Sequence, residues 1–280
     1  MSELTSRPWL LRLLAVVTLL VAAIGAVATP PHADAAPSRP TVVLVHGAWA
    51  DASSWNRVIA RLQKNGYRVL APPNPLRGVS YDAETISDFV ATIDGPVILV
   101  GHSYGGMVIS NVHQPNVAAL VYVDAYIPAK GETVFGINAA KPGSCVAGEP
   151  TDFLDFVTYP GAPTGDIDAY LRVPAQGSYP GFSACFANGV GPRLVPLLAA
   201  GQRPFAVSAG SEKSGTPAWS TTPSWAVIGT QDHVIVPAQQ LAMAKRANAH
   251  TRKVKAGHLS LITQPQAVAA TIEAASGFVG

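Results

Sequence analysis

The 280-residue chain carries little charge: Asp, Glu, Lys and Arg make up 13% of it, with 19 basic and 17 acidic residues and a formal net charge of +2. So near neutral a balance offers no basic face for nucleic acid and no acidic surface for a cationic partner. Cysteine is scarce, with only Cys145 and Cys185. Neither sits in a metal-ligand spacing, and no H-E-x-x-H or C-x-x-C occurs, so no metal site is expected. Internal repeats are absent. The longest apolar run, Leu13 to Val27, has about 15 residues, which is short for a membrane span.

That run has another reading. Arg7 and Arg12 precede it, Pro30-Pro31 breaks it, and Ala33-Asp34-Ala35 fits a small-x-small cleavage site. Residues 1–35 therefore read as a secretory signal peptide, with an uncut membrane anchor as the alternative. No Arg-Arg pair lies near the start, which favours the general secretory route over the twin-arginine one. The expected product is secreted or held in the cell envelope or periplasm, with no stable membrane partner after cleavage. Its remaining length, about 245 residues, suits one α/β domain, residues 36–280, rather than two. In an exported chain the even pair Cys145 and Cys185 predicts a disulfide, with two buried free thiols as the alternative. The bridge closes a loop of about 40 residues, worth roughly 3–4 kcal/mol if unstrained.

Among what is present, Pro96 to Ile109 carries the most information. Pro96-Val97-Ile98-Leu99-Val100 is a short apolar run rich in β-branched residues, the pattern of a buried parallel strand. Gly101-His102-Ser103-Tyr104-Gly105 follows, a G-x-S-x-G match, and then a stretch that a helix accepts. Alone, the match reads equally well as a flexible turn. Between a strand and a helix it reads as a tight turn that lifts the Ser103 hydroxyl clear of a sheet, with glycines where the strand and helix pack closely.

Around this stretch strands and helices alternate. Thr41–Val45, Tyr67–Leu70, Asn116–Val123, Ser224–Gly229 and Thr251–Val254 read as strands. Helices are predicted after Ser53-Ser54 up to Asn65-Gly66, over Tyr81–Ile93, Pro237–Ala249 and Gln264–Ser276. Residues 125–222 break the rhythm. They are rich in Pro, Gly and aromatics, with short helices predicted around Phe153–Val157, Ile167–Leu171 and Leu194–Ala200, and read as an inserted cap. The expected fold class is α/β: a mostly parallel, doubly wound sheet of about six strands, with that cap over the strand ends.

Ligands of such sheets bind at the carboxyl ends of the strands. His46, Ser103, Asp124, Asp232 and His258 all fall at or just after predicted strand ends. A serine hydroxyl needs a base to take its proton, and the base needs an orienting acid. The chain order Ser103, Asp232, His258 supplies all three. Asp124 is the alternative acid, and otherwise a hydrogen-bonding residue that ties down the start of the cap. His102 is expected to point away from Ser103, while His113 and His250 are read on or beside helices. Two backbone N–H groups, of Tyr104 and Ala48, are expected to face the developing oxyanion, and Gly47 and Trp49 to contact the substrate.

Val-His-Gly-Ala-Trp at 45–49, Gly-His-Ser-Tyr-Gly-Gly at 101–106 and Gly-His-Leu at 257–259 together resemble the α/β-hydrolase superfamily over nearly all of residues 36–280. Val-Tyr-Val-Asp-Ala at 121–125 looks like bacterial serine esterases related to plant methyl-ester esterases and hydroxynitrile lyases. The resemblance implies acyl transfer from a small-molecule ester or lactone with no metal or organic cofactor, and a cap that shapes the pocket. The lyases of that group carry a threonine where this chain has Gly47 and a lysine where it has Leu259, which counts against carbon–carbon chemistry on the same residues. A non-catalytic binding protein on this fold is a further alternative; such proteins often lose a member of the constellation, and none is missing here. The serine at 103 also excludes the dehalogenases, which use a carboxylate there.

Overall fold

The unbroken apolar runs become strands buried on both faces. In the computed structural model, which describes residues 39–279, β1 (Thr41–Val45), β3 (Val97–His102), β4 (Val117–Val123) and β8 (Ser224–Gly229) form the centre of a six-stranded sheet. The short β2 (Val69–Leu70) and the solvent-facing β9 (His250–Val254) are its edges. The order is β2-β1-β3-β4-β8-β9, and every pairing is parallel. The predicted signal segment lies outside the described residues. Among the described residues no helix is long and apolar enough to cross a membrane.

Helices pack on the sheet through apolar faces. Val58 and Leu62 of the helix Asn56–Lys64, and Ile86 and Val90 of the helix Val79–Ala91, are fully buried. They join Leu44, Ile98, Leu99, Met107 and Ile272 in one continuous core. The first helix is entered through a 3-10 turn capped by Asp51, whose Oδ1 accepts the Ser53 N–H.

The stretch after β4 departs from expectation in part. Phe153–Val157 and Ile167–Leu171 were expected as helices; apart from the short turn Pro150–Phe153, they are strands. These are β5 (Leu154–Val157) and β6 (Asp168–Leu171), paired antiparallel and extended by β7 (Phe205–Ala206). Four-residue segments have no periodicity of their own, and cross-strand pairing decides them. The helix near 194–200 is present as Val195–Ala200. His250 likewise opens β9, not a helix end, and stacks on Trp225 with ring centroids 5.0 Å apart.

Cys145 and Cys185 are joined, with Cα atoms 5.8 Å apart. Beside the bond, the Cys145 N–H donates to the His233 carbonyl at 2.8 Å, and His233 Nδ1 lies 2.9 Å from the Ala184 carbonyl. The bridge thus clamps two distant segments onto the loop after β8. Replacing both cysteines by serine is expected to lower the melting temperature by about 10 °C, from the loop length and the size of the domain. Peptide mapping without reductant is expected to yield a linked pair. Freely alkylated thiols, together with an unchanged melting temperature in the double variant, would contradict this.

Candidate active site

Parallel register brings the strand ends level. Val45 pairs with Gly101, His102 with Val123, and Gly229 with Val254. The loops after β1, β3, β4, β8 and β9 therefore open on one edge of the sheet.

Ser103 follows β3 with a φ of 53°, in the left-handed region that side chains disfavour. The turn closes only because its flanks have no side chains. A Cβ on Gly101 would lie 2.5 Å from the Gly105 carbonyl oxygen, and one on Gly105 would lie 2.5 Å from that of Val45. Gly47 packs underneath: a Cβ there would come 2.7 Å from Ser103 Cβ and 2.9 Å from the His102 carbonyl oxygen. Gly47 is thus a support beneath the serine, and it is not among the residues that line the cavity beside it.

His258, in the loop after β9, turns its Nε2 to Ser103 Oγ at 2.9 Å and its Nδ1 to Asp232 Oδ2 at 2.8 Å. All three side chains are buried. Asp232 is held from several sides. Its Oδ1 accepts the N–H groups of Val234 and Ile235 at 2.8 and 3.0 Å, and Gln240 Nε2 donates to its Oδ2 at 2.7 Å. Gln240 escaped the sequence reading. Its one signal was a polar residue on the inward face of the helix Pro237–Arg246, where it is 1% exposed.

Two more residues position the imidazole. Asn188 donates to the Gln231 carbonyl at 2.7 Å and accepts the His258 N–H at 3.4 Å, so it ties the two loops together. His102 does point away from Ser103; its Nε2 donates to the His258 carbonyl at 3.0 Å. His46 is not turned toward Ser103. Its Nε2 accepts the Asn74 N–H at 3.0 Å, while Asn74 Nδ2 donates back to the His46 carbonyl.

Asp124 plays a different part from the one expected. Its Oδ1 accepts the Gly229 N–H at 2.7 Å and its Oδ2 the Ser260 N–H at 3.0 Å. It ties the end of β8 to the segment after His258, not the start of the cap. Its own φ of 45° turns the chain sharply after β4, which brings the carboxylate under those two loops.

Burial governs the charges here. It pulls the His258 imidazole below the usual range, to about 3, and His46 to about 4. His258 is therefore neutral at neutral pH; with Nδ1–H facing Asp232, its Nε2 lone pair faces the Ser103 hydroxyl. Burial also pushes the Asp232 carboxyl up, against the pull of the Val234, Ile235 and Gln240 donors. It raises Asp124 well above the carboxylate range, with the Asp232 charge adding to it.

Beside Ser103 lies a small apolar cavity of about 20 Å³, lined by Ala48, Trp49, Tyr104, Phe153 and Phe205 among others. Trp49 is fixed there by an Nε1–H bond to the Ala169 carbonyl at 3.0 Å and by edge contacts with Phe186 and Phe205. The backbone N–H groups of Ala48 and Tyr104, both buried, find no acceptor among the described residues. The Tyr104 hydroxyl points elsewhere, to Asp82 Oδ2 at 2.8 Å. Chemically, the edge offers a hydroxyl, a neutral base within reach of its proton, and unpaired donors beside an apolar cavity. Among the described residues no group of three or more His, Cys, Asp or Glu converges as metal ligands would.

The model of the alpha/beta hydrolase family matches residues 42–271. The chain belongs to that family. Among relatives of this alpha/beta hydrolase, the carbendazim hydrolyzing esterase of Nocardioides sp. strain SG-4G is 40% identical over 110 residues, 34% of this chain and 46% of the relative. Methylesterase 7 of Arabidopsis thaliana is 33% identical over 103 residues, 31% of this chain and 40% of the relative. The chain thus spans less than half the length of these curated relatives. A solved pyrethroid hydrolase from Sphingobium faniae JZ-2 superposes with a TM-score of 0.65 at 21% identity, covering 86% of this chain and 98% of that one. At that identity the likeness concerns the fold. The resemblance drawn from the motifs holds, plant methylesterases included.

Proposed function

We propose that this hydrolase cleaves small-molecule carboxylic esters or lactones by acyl transfer to Ser103. The observation that carries the reading is the buried line from Ser103 Oγ through His258 to Asp232, beside an apolar cavity. As Oγ bonds to the ester carbonyl carbon, its proton passes to His258 Nε2 and the carbonyl π pair moves onto oxygen. The N–H groups of Tyr104 and Ala48 face that oxyanion. The tetrahedral species then collapses: the C–O bond to the alcohol breaks, and His258 gives its proton to the departing oxygen. Water repeats the sequence on the acyl-enzyme, releasing the acid and restoring Ser103. Asp232 holds the imidazole in the Nδ1–H tautomer and offsets the imidazolium charge. The esterase and hydrolase relatives support the same chemistry. Export belongs to this proposal too, on the strength of the N-terminal signal pattern and the disulfide, a bond that persists in oxidising compartments.

Two positions argue against cyanohydrin cleavage on these residues. A threonine at 47 would drive its Cβ into Ser103. Leu259, 1% exposed, is apolar at the position where the lyases carry a lysine, and a cyanide anion left without that charge partner is an uncompensated cost of several kcal/mol. Purified protein is expected to hydrolyse p-nitrophenyl acetate or butyrate and to release no cyanide from mandelonitrile above background. Robust Ser103-dependent cyanide release without ester hydrolysis would replace the esterase reading by a lyase. Absence of both activities, and of fluorophosphonate labelling, would point to a binding protein.

A further inference from the structure

The cavity beside Ser103 is walled mostly by carbon, and one side-chain amide also lines it. Asn138, on the helix Val134–Ala139, lines it and is 5% exposed. Its Oδ1 accepts the Tyr126 hydroxyl at 3.1 Å, and Tyr126 is itself buried. Burial pushes the Tyr126 phenol above its ordinary range, so it keeps its proton, and in the observed arrangement it donates that proton to Oδ1. That bond fixes which end of the amide is held by the protein. The other end, Nδ2, carries two N–H groups and finds no acceptor among the described residues. No step of the acyl transfer uses it.

Nδ2 is not sealed off in the free protein, but a bound ligand that shuts it off from water without supplying an acceptor loses that hydrogen bond uncompensated, so the site discriminates between ligands that supply an acceptor and isosteres that do not. The space beyond Asn138 accommodates such a ligand. A second apolar cavity, of about 320 Å³, shares Phe135, Val146, Phe153, Leu154 and Val207 with the first. A substrate arm leaving Ser103 toward these shared residues runs past the amide.

We infer that Asn138 is a specificity-determining residue: its Nδ2 donates to a second oxygen, a ketone, ether or further ester oxygen, borne on the substrate arm that fills this cavity. The preferred substrates are then apolar esters with one such acceptor away from the scissile carbonyl. This rests on the proposed ester hydrolysis at Ser103.

Matched pairs test it on the full enzyme. In the acyl arm, p-nitrophenyl levulinate is compared with p-nitrophenyl valerate; in the alcohol arm, methoxyethyl butyrate with butyl butyrate. Each kcat/KM is divided by the rate of alkaline hydrolysis of the same ester. In at least one pair the oxygen-bearing member is expected to be favoured roughly tenfold, with the ratio falling to near one in Asn138→Leu. Tyr126→Phe keeps the amide but frees it to rotate. It is expected to reduce the ratio part of the way, and it decides the matter if the leucine variant does not fold. Wild-type ratios near one in both pairs, or a preference that survives loss of the amide, would overturn the inference while leaving ester hydrolysis intact. Failure to turn over any ester would instead strike the proposed function, and the inference with it.

Discussion

Ser103→Ala is expected to lower kcat for p-nitrophenyl butyrate by at least about a thousandfold. The covalent path needs Oγ, and no other hydroxyl side chain lines the cavity within the same hydrogen-bonded line. What survives is binding and the N–H groups of Tyr104 and Ala48. The fold has little reason to change. Alanine keeps the Cβ that Gly47 accommodates, and the left-handed turn at 103 is held by the glycines on either side. The melting temperature is expected to stay within about a degree, since a lone buried hydroxyl bonded to one histidine contributes little net free energy. Labelling by a fluorophosphonate probe should vanish as well. Near-full hydrolysis by the alanine variant would move the nucleophile elsewhere.

Asp232→Asn is expected to cost about 10²- to 10⁴-fold in kcat, for a reason visible in its donors. The N–H groups of Val234 and Ile235 both aim at Oδ1, so the asparagine oxygen is drawn to that side. The new NH2 then faces Gln240 Nε2, a donor against a donor, and also His258 Nδ1. To accept from it, Nδ1 must give up its hydrogen, and the proton moves to Nε2. The imidazole then offers Ser103 no lone pair. Asp124→Asn meets a different arrangement. Its partners are the N–H groups of Gly229 and Ser260, one on each oxygen, and an amide retains one of the two. It should cost stability, about 1–3 kcal/mol for the N–H left unpaired, with a much smaller loss of kcat. Steady-state kinetics and thermal melts of the two variants together check this, and the reverse order of kinetic effects would make Asp124 the acid.

The central sheet was legible because β1, β3, β4 and β8 are continuous apolar runs bounded by Gly or Pro, and burial on both faces leaves no other reading. The nucleophile turn was legible for a related reason, since its glycines are demanded by backbone contact and so are written in the sequence. What was misread lies where local pattern is weak. Leu154–Val157 and Asp168–Leu171 each hold four residues, and they became strands only by finding each other. Gln240, Asn188 and the carbonyl-holding role of His102 were invisible for another reason. Each acts on Asp232 or His258 through a bond to a partner distant in sequence or, for Gln240, eight residues back in the loop before its helix, and no spacing rule encodes such a bond. Asp124 was singled out correctly as a polar strand-end residue, but its partners depended on which loops the final packing brought over it.

The separation of Ser103 and His258 by 155 positions along the chain has a kinetic meaning. The two meet only across β3, β4, β8 and β9, through parallel pairings that each close a long loop. Such non-local pairing is slow to form and leaves apolar strands uncovered while it is incomplete. Turnover in refolding therefore requires every one of these pairings to be complete, and a returning activity reports the finished sheet and no partial form of it.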